Sequence, residues 1–141
     1  MDAGNPRRRV PVLVDTNVIL DVITDDPDWS DWSLSQLELN ESRGLAVNPA
    51  IYAELCYGFS SPREVDDLLR RFALAYQETP RLGLFKAAKA YARYRQRGGN
   101  RTNVLPDFII GGHAEATGLI LLTRDSARFR NYFPSVRLVC P

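Results

Sequence analysis

Short apolar runs alternate with longer amphipathic segments along the 141-residue chain. Pro11 to Val14, Leu45 to Asn48 and the run LILLT at residues 119–123 are each bounded by polar or turn-forming residues, as is typical of buried strands. Two weaker runs, Leu74 to Gln77 and Val136 to Cys140, predict two more strands. Helical patterns fill the intervals between the runs. This alternation predicts a three-layer α/β/α domain with a mainly parallel central sheet.

Capping residues mark where the helices between these strands begin. Asp15 and Thr16 precede a helix predicted over Asn17 to Ile23, because short polar side chains accept hydrogen bonds from the first helical N–H groups. Asp28 or Ser30 is predicted to start the next helix. Further helices are predicted at Pro49 to Tyr57, from Ser61 onwards, from Pro80 to near Gly98, at Pro106 to Thr117 and around Ser126 to Phe129.

The length and composition of the chain fit one compact domain. Hydrophobic residues make up 45% of the sequence, which is enough for a sizeable core, and there is no internal repeat or long linker. Residues 1–9 contain three consecutive arginines and no apolar periodicity, so they are predicted to form a flexible tail before a single domain at 10–141. The apolar run VPVLV ends at Asp15 and is far too short for a membrane segment. We therefore expect a cytoplasmic protein that does not contact a membrane.

The charge balance and the cysteines limit the classes of function. The chain has 18 Lys and Arg against 17 Asp and Glu, a net charge of +1, so any contact with nucleic acid must come from local clusters of arginine. The two cysteines, Cys56 and Cys140, are far apart, without a CxxC spacing or a nearby histidine. This pattern predicts reduced thiols and argues against a thiolate zinc site.

Acidic residues stand at positions where a parallel sheet gathers its reactive groups. Asp15 is the first polar residue after its strand, and Asp125 comes two residues beyond LILLT. Glu54 lies in the helix after the second strand, and Asp107 lies in the first turn of the helix before LILLT. Since ligands bind beyond the carboxyl ends of parallel strands, we expect these four carboxylates to converge on one crevice.

Four converging carboxylates indicate a divalent cation. Glu54 and Asp107 have apolar neighbours in sequence, so their charges are not expected to be freely solvated. Like charges within a few Å raise each other's pKa, and hard cations with oxygen ligands relieve that repulsion. Mg²⁺ or Mn²⁺ is the predicted ion. The chemistry that fits such a site is hydrolysis of a phosphodiester by in-line attack of water.

Four segments together resemble a known family. VLVDTNVILDVI, NPAIYAEL, LPDFIIGGHA and LILLTRDSARF occur in this order between about Val12 and Phe133, and the chain resembles a PIN domain. The resemblance implies that an acidic metal site forms the catalytic centre, and it implies that two polar residues support that centre. The implied catalytic and metal-binding residues are Asp15, Glu54, Asp107 and Asp125, and the implied supporting residues are Asn17 and Thr123.

Within that family the chain is most similar to VapC-like toxins, which cleave structured RNA and are silenced by a cognate antitoxin. The resemblance therefore implies a metal-dependent endoribonuclease that inhibits translation and growth. It also implies a homodimer, and an antitoxin whose C-terminal segment covers the acidic crevice. The acid spacing does not specify which RNA is cut, because members with the same acids cut different RNAs.

Basic residues near the predicted crevice are candidates for RNA contact. Arg124 stands beside Asp125 and is the first candidate. A cluster interleaved with tyrosines predicts a rim that binds the RNA backbone, although an exposed helix face explains it equally well. The cluster comprises Arg95, Arg97 and Arg101. His113, the only histidine, lies about two turns beyond Asp107, where it would either contact a phosphate at the crevice edge or pack in the core.

Several other functions of α/β domains need residues that this chain lacks. A haloacid-dehalogenase-like phosphatase needs a second aspartate two residues after the first, where this chain has Asn17. A phospho-receiver domain needs a lysine near the end of the sheet, whereas the only lysines are Lys86 and Lys89, and the sequence contains no GxxxxGK phosphate loop. Two alternatives remain open: a PIN-like nuclease that cuts DNA, and a non-catalytic PIN-like interaction module.

Overall fold

The computed structural model describes residues 10–141, and the predicted tail at residues 1–9 lies outside them. Five strands form one sheet in the order β3-β2-β1-β4-β5, and all four neighbouring pairs are parallel. The prediction of a mainly parallel sheet is confirmed, because every described pairing has that direction. The strands are β1 (Val12–Val14), β2 (Leu45–Val47), β3 (Leu74–Tyr76), β4 (Ile120–Leu122) and β5 (Leu138–Val139).

Helices connect the strands, and the predicted three-layer α/β/α arrangement is confirmed. The α-helices in the described part of the chain are α1 (Thr16–Ile23), α2 (Ser30–Asn40), α3 (Pro49–Cys56), α4 (Pro62–Arg71), α5 (Arg81–Gln96), α6 (Leu105–Thr117) and α7 (Ala127–Tyr132). A single 3₁₀ turn at Glu41–Arg43 follows α2. Over residues 10–141, every helix is too short or too polar to cross a membrane.

Three of the seven described α-helices, α1, α3 and α4, begin at a residue whose side chain caps them. The Asp15 side chain accepts a hydrogen bond from the Thr16 N–H and begins α1. Asn48 begins α3 by accepting from the Ile51 N–H at 3.0 Å. The start of α2 differs from the prediction, because neither Asp28 nor Ser30 caps it with a side chain.

Asp26 provides the turn before α2 instead. Its Oδ1 accepts hydrogen bonds from the backbone N–H groups of Asp28 and Trp29, each at 2.9 Å. An aspartate that bonds to the N–H groups two and three residues ahead closes a local turn without belonging to the helix. The helix then begins at Ser30, so the predicted boundary is right and the predicted capping residue is wrong.

The central strand β1 is completely buried between β2 and β4. Val12, Leu13 and Val14 are each 0% exposed, and Leu13 pairs with Ala46 on one side and with Leu121 on the other. The polar group that directly follows β1 is therefore drawn into the middle of the molecule, at the carboxyl edge of the sheet. This position belongs to Asp15.

Helices α5 and α6 approach each other closely through glycines. A Cβ atom added to Gly112 would lie 2.3 Å from the carbonyl oxygen of Gly83, and one added to Gly111 would lie 2.3 Å from the Phe133 ring. Side chains at these positions would push α6 away from α5 and α7. The glycines thus fix the position of α6, the helix that carries Asp107.

His113 lies in the core and not at the edge of the crevice. It is 1% exposed, and its Nδ1 lies 3.2 Å from both the Asn48 amide nitrogen and the Thr79 hydroxyl. Burial lowers the pKa of His113, which favours the neutral ring. The alternative of a packed core histidine is the one that the structure supports, because a side chain with this burial cannot reach a phosphate at the surface.

Candidate active site

A cleft of about 340 Å³ opens at the carboxyl ends of β1 and β4. Its walls come from α1, α3, α6 and α7, so residues that are far apart in sequence meet there. All four predicted acids contribute to the lining, as the alternation of strands and helices indicated. The lining residues are Asp15, Thr16, Asn17, Leu20, Glu54, Tyr57, Asp107, Asp125, Arg128 and Phe129.

Asp15 is the most buried of the four acids, at 5% exposure. Its carboxylate accepts hydrogen bonds from the Thr123 hydroxyl at 2.8 Å and from the Asn17 amide at 3.4 Å. Burial raises the pKa of Asp15 to about 7; the Thr123 hydrogen bond lowers it, and the nearby charge of Asp107 raises it again. Asn17 and Thr123 thus both contact the carboxylate of Asp15, and their role as supporting residues stays a prediction.

Glu54 lies on α3 and is half-buried. The Thr16 hydroxyl donates a hydrogen bond of 2.8 Å to its Oε1. Burial raises the pKa of Glu54, the Thr16 hydrogen bond lowers it, and the charge of Asp107 raises it. The sequence predicts Thr16 only as a capping residue, although its place beside Asp15 puts it at the edge of the crevice.

Asp107 pairs with an arginine that the sequence analysis did not identify. Nη1 of Arg128, on α7, lies 2.6 Å from Oδ2 of Asp107. Burial raises the pKa of Asp107, the hydrogen bond and charge of Arg128 lower it, and Asp125 raises it. The Arg128 guanidinium also lies over the rings of Tyr94 and Phe108, at 5.5 and 5.8 Å from their centroids. These contacts hold its positive charge at the cleft wall.

Asp125 completes the acidic group at the exposed edge of the cleft. Its backbone N–H donates to the Thr123 hydroxyl at 3.1 Å, so the same threonine links the loop after β4 to Asp15. The Asp125 side chain does not cap the helix that follows it. Ser126 is the residue that precedes α7, and no side chain caps that helix.

The predicted RNA-contacting arginines lie outside the cleft lining. Arg124 donates from Nε and Nη2 to the two carboxylate oxygens of Asp21, each at 2.9 Å, and its guanidinium lies over the Trp29 ring. This salt bridge occupies Arg124 within the protein. The cluster on α5 and its following loop is exposed, and it comprises Arg95, Arg97 and Arg101.

The chemistry of the donor set fits a hard divalent cation. Four carboxylates face one cleft, and Arg128 is the only cation that lines it in the described part of the chain. Among residues 10–141, no three His, Cys, Asp or Glu side chains form a ready-made cage for an ion. Burial and mutual repulsion raise the pKa of Asp15, Glu54 and Asp107. Oxygen ligands in this electrostatic situation match the preference of Mg²⁺ and Mn²⁺.

Comparisons with known protein families and solved structures found matches that cover most of the chain. In sequence, the family described as PIN domain matches residues 12–133, and no curated protein matches the chain. In structure, the chain is similar to a chain of VapBC2 from Rickettsia felis, solved with a DNA fragment from their promoter. That match has a TM-score of 0.71 and 23% identity, and it covers 93% of this chain and 98% of that chain.

Two other solved structures have the same fold. DNA-bound VapBC from Salmonella typhimurium matches with a TM-score of 0.69 and 21% identity, covering 93% of this chain and 98% of that chain. A toxin-antitoxin complex from Klebsiella pneumoniae matches with a TM-score of 0.59 and 18% identity, covering 84% of this chain and 89% of that chain.

Proposed function

The chain belongs to the PIN-domain family, and from this membership we propose that it is a metal-dependent endoribonuclease of the VapC-like toxin type. The convergence of Asp15, Glu54, Asp107 and Asp125 on one cleft is the observation that carries the proposal. Burial raises the pKa of Asp15, Glu54 and Asp107, and Arg128 is the only cation beside the four acids in the described part of the chain. The four acids are the ligand set that phosphodiester hydrolysis with divalent cations requires.

The four acids would hold one or two Mg²⁺ or Mn²⁺ ions. A bound ion of this kind supplies positive charge to the scissile phosphate and activates water at neutral pH. The chain's own residues orient the carboxylates: Thr123 and Asn17 hold Asp15, and Thr16 holds Glu54. Fixed hydrogen-bond partners of this kind set the direction of metal-binding oxygens. The mechanism needs no nucleophile from the protein.

Arg128 supplies the positive charge of the chain at the cleft. It pairs with Asp107 at 2.6 Å, and the rings of Tyr94 and Phe108 hold its guanidinium in place. A guanidinium binds phosphate oxygens with the same geometry that it uses for a carboxylate. We therefore propose that a phosphate of the substrate contacts Arg128 at the wall of the acidic cleft.

RNA is the substrate we propose, on the strength of the resemblance to VapC-like toxins. Cleavage of structured RNA in the cytoplasm would inhibit translation and growth. The four acids do not distinguish RNA from DNA, because the same chemistry attacks the phosphodiester of either polymer. A PIN-like DNA nuclease therefore stays as the alternative that the experiment below must separate.

A cognate antitoxin is the protein partner we propose, and the relatives in VapBC and toxin-antitoxin structures support it. An apolar groove of about 510 Å³ adjoins the active-site cleft, and Leu20 lines both. Ile23, Phe59 and Leu68 form much of the groove wall. An antitoxin segment that binds along this groove would reach the acidic cleft and cover it. We also propose a homodimer, from the same resemblance.

Cleavage of total cellular RNA by the purified protein tests the proposal. The assay compares Mg²⁺, Mn²⁺ and EDTA, and it includes single-stranded DNA as a second substrate. We expect RNA to be cut with either metal and to stay intact in EDTA. Glu54→Gln should lose cleavage because it removes a ligand charge, whereas Glu38→Gln, on the exposed surface of α2, should keep it.

The outcomes separate the three functions. Cutting of RNA alone supports the ribonuclease, and equal cutting of DNA supports the alternative nuclease. If neither polymer is cut with any metal, while the protein remains folded, the chain acts as a non-catalytic interaction module.

A further inference from the structure

Tyr57 is an exposed aromatic side chain on the wall of the acidic cleft. It is 93% exposed, more than any other large hydrophobic residue in the described part of the chain, and it lines the cleft together with the four acids. Its side chain forms none of the hydrogen bonds or ring contacts found among residues 10–141. A ring exposed to water on the wall of a polar cleft is available to a ligand that enters the cleft.

The backbone places Tyr57 one helical turn beyond Glu54. Tyr57 is the C-cap residue of α3, and its N–H donates to the Glu54 carbonyl at 3.4 Å. Residues three apart on a helix lie on the same side, so the ring stands next to the acid.

We propose that Tyr57 is a base-stacking residue that selects an unpaired nucleotide next to the cleaved phosphate. This inference rests on the proposed nuclease function, because it needs a nucleic-acid phosphate at the acids. Every base has a π face that stacks on an aromatic ring, so such a contact tolerates any base. A base inside a duplex has both faces covered by its neighbours, and it must leave the stack before it can contact Tyr57.

Equilibrium binding measures this contact without relying on cleavage. The probe is a fluorescein-labelled, mixed-sequence RNA of about 12 nucleotides, used single-stranded and annealed to its complement, and read by anisotropy in Mg²⁺. Every variant also carries Asp15→Asn, so that the probe is not cut. Thermal unfolding of each variant confirms that it is folded.

Tyr57→Ala should weaken binding of the single strand by about tenfold and leave binding of the duplex unchanged. Tyr57→Phe should bind as the parent does, because it keeps the ring. Phe85→Ala is the matched control, since Phe85 is an exposed aromatic residue on α5 at 59% exposure and does not line the cleft. It should change neither dissociation constant.

Three results would overturn the inference: equal binding of the single strand by Tyr57→Ala and the parent, an equal loss on the duplex, or an equal loss in Tyr57→Phe. The cleavage assay on the native chain is a separate test of the nuclease. A stacking effect without cleavage would overturn the proposed function and leave Tyr57 as a contact for an unpaired nucleotide that is not next to a cleaved phosphate. Cleavage without a stacking effect would support the proposed function and overturn the inference about Tyr57.

Discussion

Two buried aspartates at opposite ends of α1 have opposite electrostatic surroundings. Asp21 is 2% exposed, and its carboxylate accepts hydrogen bonds from Arg124 at 2.9 Å and from the Ser33 hydroxyl at 2.8 Å. Asp15 is 5% exposed, and its hydrogen-bond partners, Thr16, Thr123 and Asn17, are all neutral. Asp21 therefore has a permanent counter-ion, whereas Asp15 faces other carboxylates.

The comparison separates a structural carboxylate from a functional one. A buried acid that the fold has neutralised contributes to stability, because removing either partner leaves a buried charge. A buried acid without a cation is costly to the folded protein and is kept where a ligand is to supply the missing charge. For these two aspartates, burial alone does not separate the roles, whereas the presence or absence of a built-in counter-ion does.

Substitution of each aspartate by asparagine should produce the largest contrast in cleavage. Asp15→Asn should reduce RNA cleavage to background, because it removes a ligand charge from the cleft. Asp21→Asn should keep the cleavage rate per folded molecule, because the Asp21 side chain is directed toward Arg124 and Ser33. Initial rates well below the melting temperature of each variant measure this. Equal losses of activity would contradict the division of roles.

In stability the order of the two substitutions should be reversed, with the larger loss in Asp21→Asn. Asp21→Asn should lower the free energy of unfolding by about 3 kcal/mol, because Arg124 loses its partner at a partly buried position. The melting temperature should fall by roughly 8 °C for a chain of this length. Urea unfolding in EDTA checks the value. A loss as large in Asp15→Asn would show that Asp15 also has a neutralised charge.

The pH dependence of stability should carry the signature of Asp15. Its pKa rises from 3.8 to about 7 on folding, so the folded chain binds the proton more tightly than the unfolded chain does. The contribution of Asp15 to the free energy of unfolding therefore falls as pH rises between about 4 and 7. Between pH 5.5 and 8 the metal-free protein should lose roughly 2 kcal/mol of unfolding free energy from this group. Mg²⁺ at pH 8 should restore part of that loss.

The difference between the native chain and Asp15→Asn isolates this effect from other titrating groups. His113 changes stability in the opposite direction, because burial lowers its pKa, and its contribution cancels in the difference. Urea unfolding in EDTA at the two pH values gives the four free energies needed. If the difference in unfolding free energy between the native chain and Asp15→Asn does not change with pH, Asp15 is not the cause of the pH dependence.

The smallest expected effect is that of Arg124→Lys. Lysine keeps the positive charge beside Asp21 but cannot form both of the 2.9 Å hydrogen bonds that the guanidinium makes. The Arg124 Cζ atom lies 5.5 Å from the centroid of the Trp29 ring, and a lysine side chain would stack less well over that ring. We expect a loss of about 1 kcal/mol in urea unfolding, with unchanged cleavage. A marked fall in cleavage would instead support the earlier prediction that Arg124 contacts RNA.

The sheet and the acidic cleft could be predicted because they depend on chain order. Residues directly after parallel strands share one edge, so Asp15 and Asp125 had to lie near each other. Glu54 and Asp107 line the same cleft, as expected from the helices next to those strands. Their role as metal ligands stays a prediction.

Contacts between side chains of different helices could not be predicted in the same way. The pairing of Arg128 with Asp107 spans 21 residues and depends on how α7 is rotated against α6. The burial of Asp21 depends likewise on the packing of α2 against α1. His113 had two interpretations for the same reason, because periodicity does not say which face of α6 meets α5. The spacing of residues along the sequence does not determine how each helix is rotated against its neighbours.

The position of β1 at the centre of the sheet has a consequence for protein synthesis. Asp15 leaves the ribosome early, yet its carboxylate is held by Thr123, 108 residues later, and β1 needs β4 as its neighbour. A nascent chain must therefore extend past Asp125 before the cleft can close around its acids, and domains fold as units once their sequence has emerged. The order of translation thus delays completion of the acidic cleft until nearly the whole domain has been synthesised.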